Sequence, residues 1–221
     1  MKSGIITTLL AAFITTATIS AQNTEEAADK NSVSGHAVYA SAGVSHIITK
    51  IDTDWTSGEP RLGCDWQAGY EWISKRKIGA GFMYSGYHSS GEIIASEGTF
   101  KETLMIHYLA PQFAGRIPLK SEKWSLNYSV GMGLAIFSDV AKGKKKVPKN
   151  TYLRNTDYGF GANLLFGAEY RIVPHLGITG SVSFTEALIK QEYMGYYPAD
   201  SNDSSNGFIR VSIDLGLKYH F

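Results

Sequence analysis

"IRVSIDLGLKYHF", residues 209–221, closes the chain. Ile209, Val211, Ile213, Leu215, Leu217, Tyr219 and Phe221 alternate there with Arg210, Ser212, Asp214, Gly216, Lys218 and His220. A two-residue period puts the first set on one face of a strand and the second on the other. Carried through to residue 221, the pattern predicts a strand that pairs along its whole length.

The same period recurs upstream. In residues 61–72, Leu62, Cys64, Trp66, Ala68, Tyr70 and Trp72 alternate with Gly63, Asp65, Gln67, Gly69 and Glu71. In 78–86 the apolar set is Ile78, Ala80, Phe82 and Tyr84, and in 124–137 it is Trp124, Leu126, Tyr128, Val130, Met132, Leu134 and Ile136. Residues 157–172 and 176–185 repeat the pattern with Tyr158, Phe160, Leu164, Phe166 and Tyr170, then Leu176, Ile178, Val182 and Phe184. Two further strands are expected. Residues 36–48 carry Val38, Ala40, Ala42 and Val44 on one face, whereas 101–115 are apolar on both faces and leave the facing open. That makes eight strands. Short connections near 73–77, 116–123 and 173–175 alternate with long ones near 49–60, 88–99, 138–156 and 186–206, so all the long loops gather on one rim of an antiparallel array.

Residues 1–21 read as a signal peptide: Lys2 supplies the positive end, 5–19 the apolar run, and Ile19-Ser20-Ala21 the small-residue cleavage site. Residues 22–34 are then a polar lead-in, and 35–221 the folded domain. The chain has 21 basic and 20 acidic residues, and loss of Lys2 balances them, which gives no argument for nucleic acid as a partner. A single cysteine, Cys64, excludes an intramolecular disulfide framework.

An eight-stranded antiparallel barrel with one apolar face has two homes. A soluble carrier turns that face inward; a membrane barrel turns it toward lipid. Several patterns here run to about ten residues or more, the length a tilted membrane strand needs. The other face is rich in Gly, Ser and paired charges, which suits a narrow, filled lumen. Aromatic residues collect toward strand ends: Tyr70, Trp72, Trp124, Tyr170, Tyr219 and Phe221 at the short-turn rim, and Tyr84, Tyr158, Phe160 and Phe184 toward the other. Such girdles mark membrane interfaces.

Leu217, Tyr219 and Phe221 complete a terminal strand that resembles the last strand of the outer-membrane β-barrel family. Strand count and loop rhythm over 35–221 are similar to the small OmpA-like and OmpX-like members. The resemblance implies an all-β, eight-stranded up-and-down transmembrane barrel with both termini periplasmic. It also implies that the terminal motif is read by the barrel-assembly machinery and that lipopolysaccharide surrounds the barrel.

The expected lumen carries Asp65, Gln67, Glu71, Asn127, Asn163, Glu169, Arg171, Arg210, Asp214 and Lys218. Mixed signs at several heights suit an internal ion-pair network, because buried charges must be paired. The alternative is a polar path for small solutes, which the narrow interior of eight strands opposes. The run of Lys142, Lys144, Lys145, Lys146 and Lys149 is expected on an outward loop, solvated or against anionic lipopolysaccharide or another acidic surface polymer. Tyr193, Tyr196 and Tyr197 are expected in another loop and would offer a surface for protein or glycan. One pair has the form of a catalytic site. His88 and Ser90 match the His-x-Ser of an outer-membrane lipid A deacylase family, with Glu92 or Glu97 as the acid; Gly91 stands where that family has Asn. Cys64 reads as a small lipid-facing residue. No cofactor or metal is expected, since His46, His107, His175 and His220 lie on different segments without ligand spacing. The leading expectation is a structural or surface-interaction barrel that is not an enzyme, with lipid A modification and solute passage as alternatives.

Overall fold

The computed structural model describes residues 35–49, 61–95, 98–121, 123–147, 152–189 and 206–221. The expected signal peptide, the lead-in, Glu97, Lys149 and the tyrosines at 193, 196 and 197 lie outside the described residues.

Eight antiparallel strands follow in chain order: β1 (Gly35–Ile47), β2 (Leu62–Ile73), β3 (Ile78–Ala95), β4 (Gly98–Pro118), β5 (Trp124–Lys145), β6 (Tyr152–Val173), β7 (Leu176–Ile189) and β8 (Asn206–His220). Each pairs with its neighbours, and β1 closes on β8. Closure leaves no strand edge to meet acyl chains, where an unpaired amide costs several kcal/mol. The alternation places the apolar set outside. Val38, Val44, Tyr70, Trp72, Phe82, Met132, Leu134, Phe160, Ile213, Leu215 and Leu217 are all exposed. A closed barrel with its large apolar residues outward is turned toward lipid.

Register sets the geometry. Ala37 pairs with Glu71, and the ladder climbs on through Gly81, Gln112, Gly131, Asn163, Thr185 and Arg210 to return to β1 at Ile47, ten residues further along. For eight strands this stagger corresponds to a tilt of about 40°, a backbone radius of about 8 Å and about 2.5 Å of axial rise per residue. The interior is therefore wide enough for side chains and little more.

The strands differ in length, and the difference is one-sided. β1 and β2 have 13 and 12 residues, whereas β5 and β6 have 22 each. All strands have one end at about the same height, at the rim that carries Gly35, Phe221 and the short turns, here the terminal rim. At the opposite, far rim, β3–β6 run on as a sheet roughly 20 Å beyond the outward apolar band, at the axial rise above. This corrects two expected loops. Residues 88–99 and 138–156 are mostly strand, since β3 continues to Ala95 and β5 to Lys145. Their sequences are polar because both faces leave the membrane there, and polarity alone does not distinguish a loop from an exposed hairpin.

The girdles also shift slightly. Tyr84 is level with Ala68 and Leu109, in the body of the apolar band, while Tyr158 and Phe160 do sit toward the far rim. At the terminal rim Trp124 packs on Tyr170 at 5.0 Å between ring centroids, and Phe221 stacks on His36 and Tyr219.

Candidate functional site: the filled lumen and the far rim

Alternation turns one residue in two toward the axis, and the shear stacks these residues in storeys. The lowest storey, at the terminal rim, is ionic. Arg116 Nη2 lies 2.5 Å from Glu71 Oε1 and 3.6 Å from Glu169 Oε2, and its Nε donates to Asn127 Oδ1 at 3.1 Å. Lys218 Nζ reaches Glu71 Oε1 at 2.9 Å, and its ammonium lies 5.5 Å from the centre of the Tyr39 ring. His220 Nε2 is 2.6 Å from Glu169 Oε1, with Nδ1 3.3 Å from Arg116 Nη1. That placement suits a tautomer protonated at Nε2. Arg171 approaches Glu169 at 3.6 Å from the rim. Seven side chains from β2, β4, β5, β6 and β8 thus hold one another across the lumen.

Above it lies a cavity of about 40 Å³ lined by Tyr39, Ser41, Gln67, Gln112, Ser129 and Ser181, among others. That volume is room for a few waters.

The middle storey is again polar but more loosely tied. Gln67 Nε2 donates to Asp214 Oδ2 at 2.8 Å and to Ser183 Oγ at 3.1 Å. Arg210, fully buried, donates from Nη2 to Ser85 Oγ at 2.5 Å and sits 5.8 Å above the Tyr87 ring. Its Nη1 is 4.0 Å from Asp65 Oδ1. Asn163 Nδ2 donates to Thr185 Oγ1 at 2.9 Å.

The top storey is apolar. Ile47, Tyr87, Leu104, Ile106, Tyr108, Phe137, Ile189 and Phe208 pack into one cluster across the lumen. This corrects the expectation of a lumen polar throughout. It also explains why β4 is apolar on both faces. Leu104, Ile106, Tyr108 and Ala110 point into the plug, while Met105, His107, Leu109 and Pro111 point outward. Pro111 lacks an amide proton, so the β4–β5 ladder pairs as far as Leu109–Leu134 and resumes at Gln112–Gly131. The plug closes the lumen above that interruption, where the Tyr108 hydroxyl donates to Gly131 O at 3.2 Å.

Glycines leave the space these groups fill. A Cβ on Gly69 would meet the Tyr39 hydroxyl at 2.5 Å, and one on Gly177 would meet Glu169 Oε1 at 2.7 Å.

All ten residues assigned to the lumen from sequence point inward, and all but Arg171 are buried. Arg116 and His220 were missed, although both sit at the centre of the lowest storey. Arg116 falls in the connection expected at 116–123. The available signal was parity, because Gln112, Ala114 and Arg116 share a face, but it is readable only once the β4 facing is known.

The far rim carries the other sequence candidates. His88 and Ser90 share the outward face of β3, both exposed. Ser90 Oγ donates to the Glu102 carbonyl oxygen at 3.0 Å and lies 3.5 Å from Thr103 Oγ1. Glu92 is held by Lys144, and that hydrogen bond and charge keep its carboxyl below the usual range. Lys142 and Lys144 stand on the outward face of β5; Lys145 and Lys146 are exposed at the strand's end. Cys64 is exposed on the lipid-facing side of β2. Among the described residues no group of three or more His, Cys, Asp or Glu has metal-site geometry.

No protein-family model matches the sequence, and no curated protein matches it. Solved structures do match in fold. The crystal structure of Neisserial surface protein A superposes with a TM-score of 0.51 at 10% identity, covering 85% of this chain and 98% of that one. Ail, the attachment invasion locus protein of Yersinia pestis, solved with the heparin analogue sucrose octasulfate, gives 0.48 at 11% identity over 85% and 99%. OprG of Pseudomonas aeruginosa gives 0.46 at 11% over 87% and 99%. Outward apolar strands and a closed eight-strand ladder make the chain a small antiparallel β-barrel with a lipid-facing exterior, the fold it shares with Neisserial surface protein A.

Proposed function

We propose that the chain is a closed, non-catalytic anchor that displays its β3–β6 extension at the cell surface, with both termini in the periplasm. The observation that carries this reading is the pairing of a lumen filled over three storeys with strands that overrun the membrane at one rim only. A barrel built to pass solute would keep its axis open. Here side chains span it, and the surplus chain is invested in an exposed sheet. On this reading the partners are surrounding lipopolysaccharide, the assembly machinery that reads Leu217, Tyr219 and Phe221, and a surface ligand met by the far rim, with no cofactor. Ser90's donation to a backbone carbonyl, and Glu92's engagement by Lys144, favour a structural role for the His88 segment over lipid A hydrolysis.

Two measurements test this. In a Cys64→Ser background, Thr99→Cys should react with an impermeant maleimide on intact cells, whereas Lys75→Cys should react only after the outer membrane is opened. Planar bilayers containing the protein should show no stable conductance steps. Reversed labelling or a steady open channel would end the proposal.

A further inference from the structure

Two ionisable side chains interrupt the lipid-facing wall at one height. Glu186 stands on the outward face of β7 between Phe184 and Leu188, which are both exposed. Its row continues with Ala162 on β6 and Ile209 on β8. The carboxyl is half-buried and no described side chain bonds it. His107 stands on the outward face of β4 between Met105 and Leu109, in a row with Gly86 and Ile136. The Tyr84 hydroxyl lies 2.8 Å from its Nδ1. With that hydroxyl donating, the ring proton sits on Nε2, a donor left without an acceptor. Ionisable groups on a lipid-facing wall are costly and call for a partner.

The register fixes their relative height. From His107 the ladder passes to Ile136 on β5 and Tyr158 on β6. Ala162, further down β6 toward the terminal rim, pairs with Glu186. Each step round the ladder climbs about 3 Å, so three steps up offset the descent from Tyr158 to Ala162 to within about 1 Å. The two groups lie three strands apart on a convex wall and cannot meet within one barrel. In two copies standing side by side in one membrane they meet without tilt. The surfaces around them also match. A Cβ on Gly86 would overlap the Trp66 ring, so that indole lies flat on the wall beside Tyr84 and His107. Phe160 and Phe184 flank Glu186. Between partners in lipid, packing and hydrogen bonds drive association. We infer that Glu186 of one copy accepts a hydrogen bond from His107 of a second copy, joining barrels side by side. Because two different patches meet, the contact is heterologous and can add further copies. The inference rests on the lipid-facing exterior and not on which rim lies outside the cell.

The test is disulfide trapping of the full barrel in phospholipid vesicles, in a Cys64→Ser background. Copies with Leu188→Cys, next above Glu186, are mixed with differently tagged copies carrying Met105→Cys, next above His107. Oxidation should yield the mixed 188–105 dimer in preference to either homodimer. Adding Glu186→Leu to the first copy, or His107→Leu to the second, should cut that yield about threefold or more, the factor one hydrogen bond supplies in lipid. His46→Leu, which removes an outward histidine from β1, should leave it unchanged. The leucine variants place an apolar group on the lipid face, and heat-modifiable gel mobility checks that each folds; if one does not, the other decides. A homodimer exceeding the mixed product, or a mixed yield unaltered in the Glu186 and His107 variants, would overturn the inference. So would a parent barrel that stays monomeric while Glu186→Leu lowers its retention of phosphatidylethanolamine, since the carboxyl would then belong to a lipid amine.

Discussion

Replacing Arg210 with Met should be among the most damaging single changes in the barrel. The guanidinium is fully buried, donates to Ser85, lies over Tyr87, and is the positive group beside Asp65 and near Asp214. Methionine keeps most of the stem volume but removes the charge and its donors. Two carboxylates are then left in an enclosed storey without their cation. Breaking a buried ion pair by deleting one partner costs about 3–5 kcal/mol, or roughly two to four powers of ten in the folding equilibrium. Urea unfolding in micelles measures this, followed by tryptophan fluorescence, since Trp66, Trp72 and Trp124 lie on the lipid side. The decisive arm neutralises the rest of the site. Arg210→Met with Asp65→Asn and Asp214→Asn should regain most of the loss, because replacing a whole buried ionic group is often near neutral. If Arg210→Met costs under about 1 kcal/mol, or the triple variant is no more stable than the single one, the storey is not held by charge compensation and the reasoning fails.

Three further outcomes follow from the same geometry. Gly69→Val drives a side chain into Tyr39 and should destabilise by about 1–3 kcal/mol, while the neighbouring Ala68→Val faces lipid and should be tolerated; chemical denaturation of the pair checks the facing. Phe221→Ala should slow barrel assembly in cells far more than it lowers the stability of the folded barrel, because Phe221 contributes exposed ring stacking at the rim; pulse-chase assembly against equilibrium unfolding separates the two. Glu92 should titrate below an ordinary glutamate by carboxyl NMR, and Lys144→Gln should return it to the usual range. A depressed folded value means the contact stabilises above the ordinary glutamate range and is lost as pH falls through the folded value; on an exposed pair, screening keeps that contribution small.

Much of this protein was determined by period alone. A two-residue alternation is a local property, and each strand announces its own faces wherever one face is apolar and the other is not. Asp65, Gln67, Glu71, Asp214 and Lys218 were placed inside for that reason, and the terminal segment 209–221 identified the class of barrel. The reading stopped where local contrast vanished. In 101–115 both faces are apolar because the inner one enters the plug and the outer one meets lipid, so Arg116 was lost to a turn. Polar stretches such as 138–147 look like loops in sequence because strands outside the membrane no longer need an apolar face.

Only the tertiary structure decided which residues meet. Pairing partners depend on register and shear, and these are sums over all eight strands that no single segment encodes. A stagger of ten residues brings Arg116 of β4 to Glu71 of β2 and Glu169 of β6, sets Arg210 beside Asp65, and lines up Lys101, Lys142 and Arg154 on one outward face. Alternation tells each residue to face the axis or the lipid. Closing the ring then fixes the height at which it does so, and with that its company.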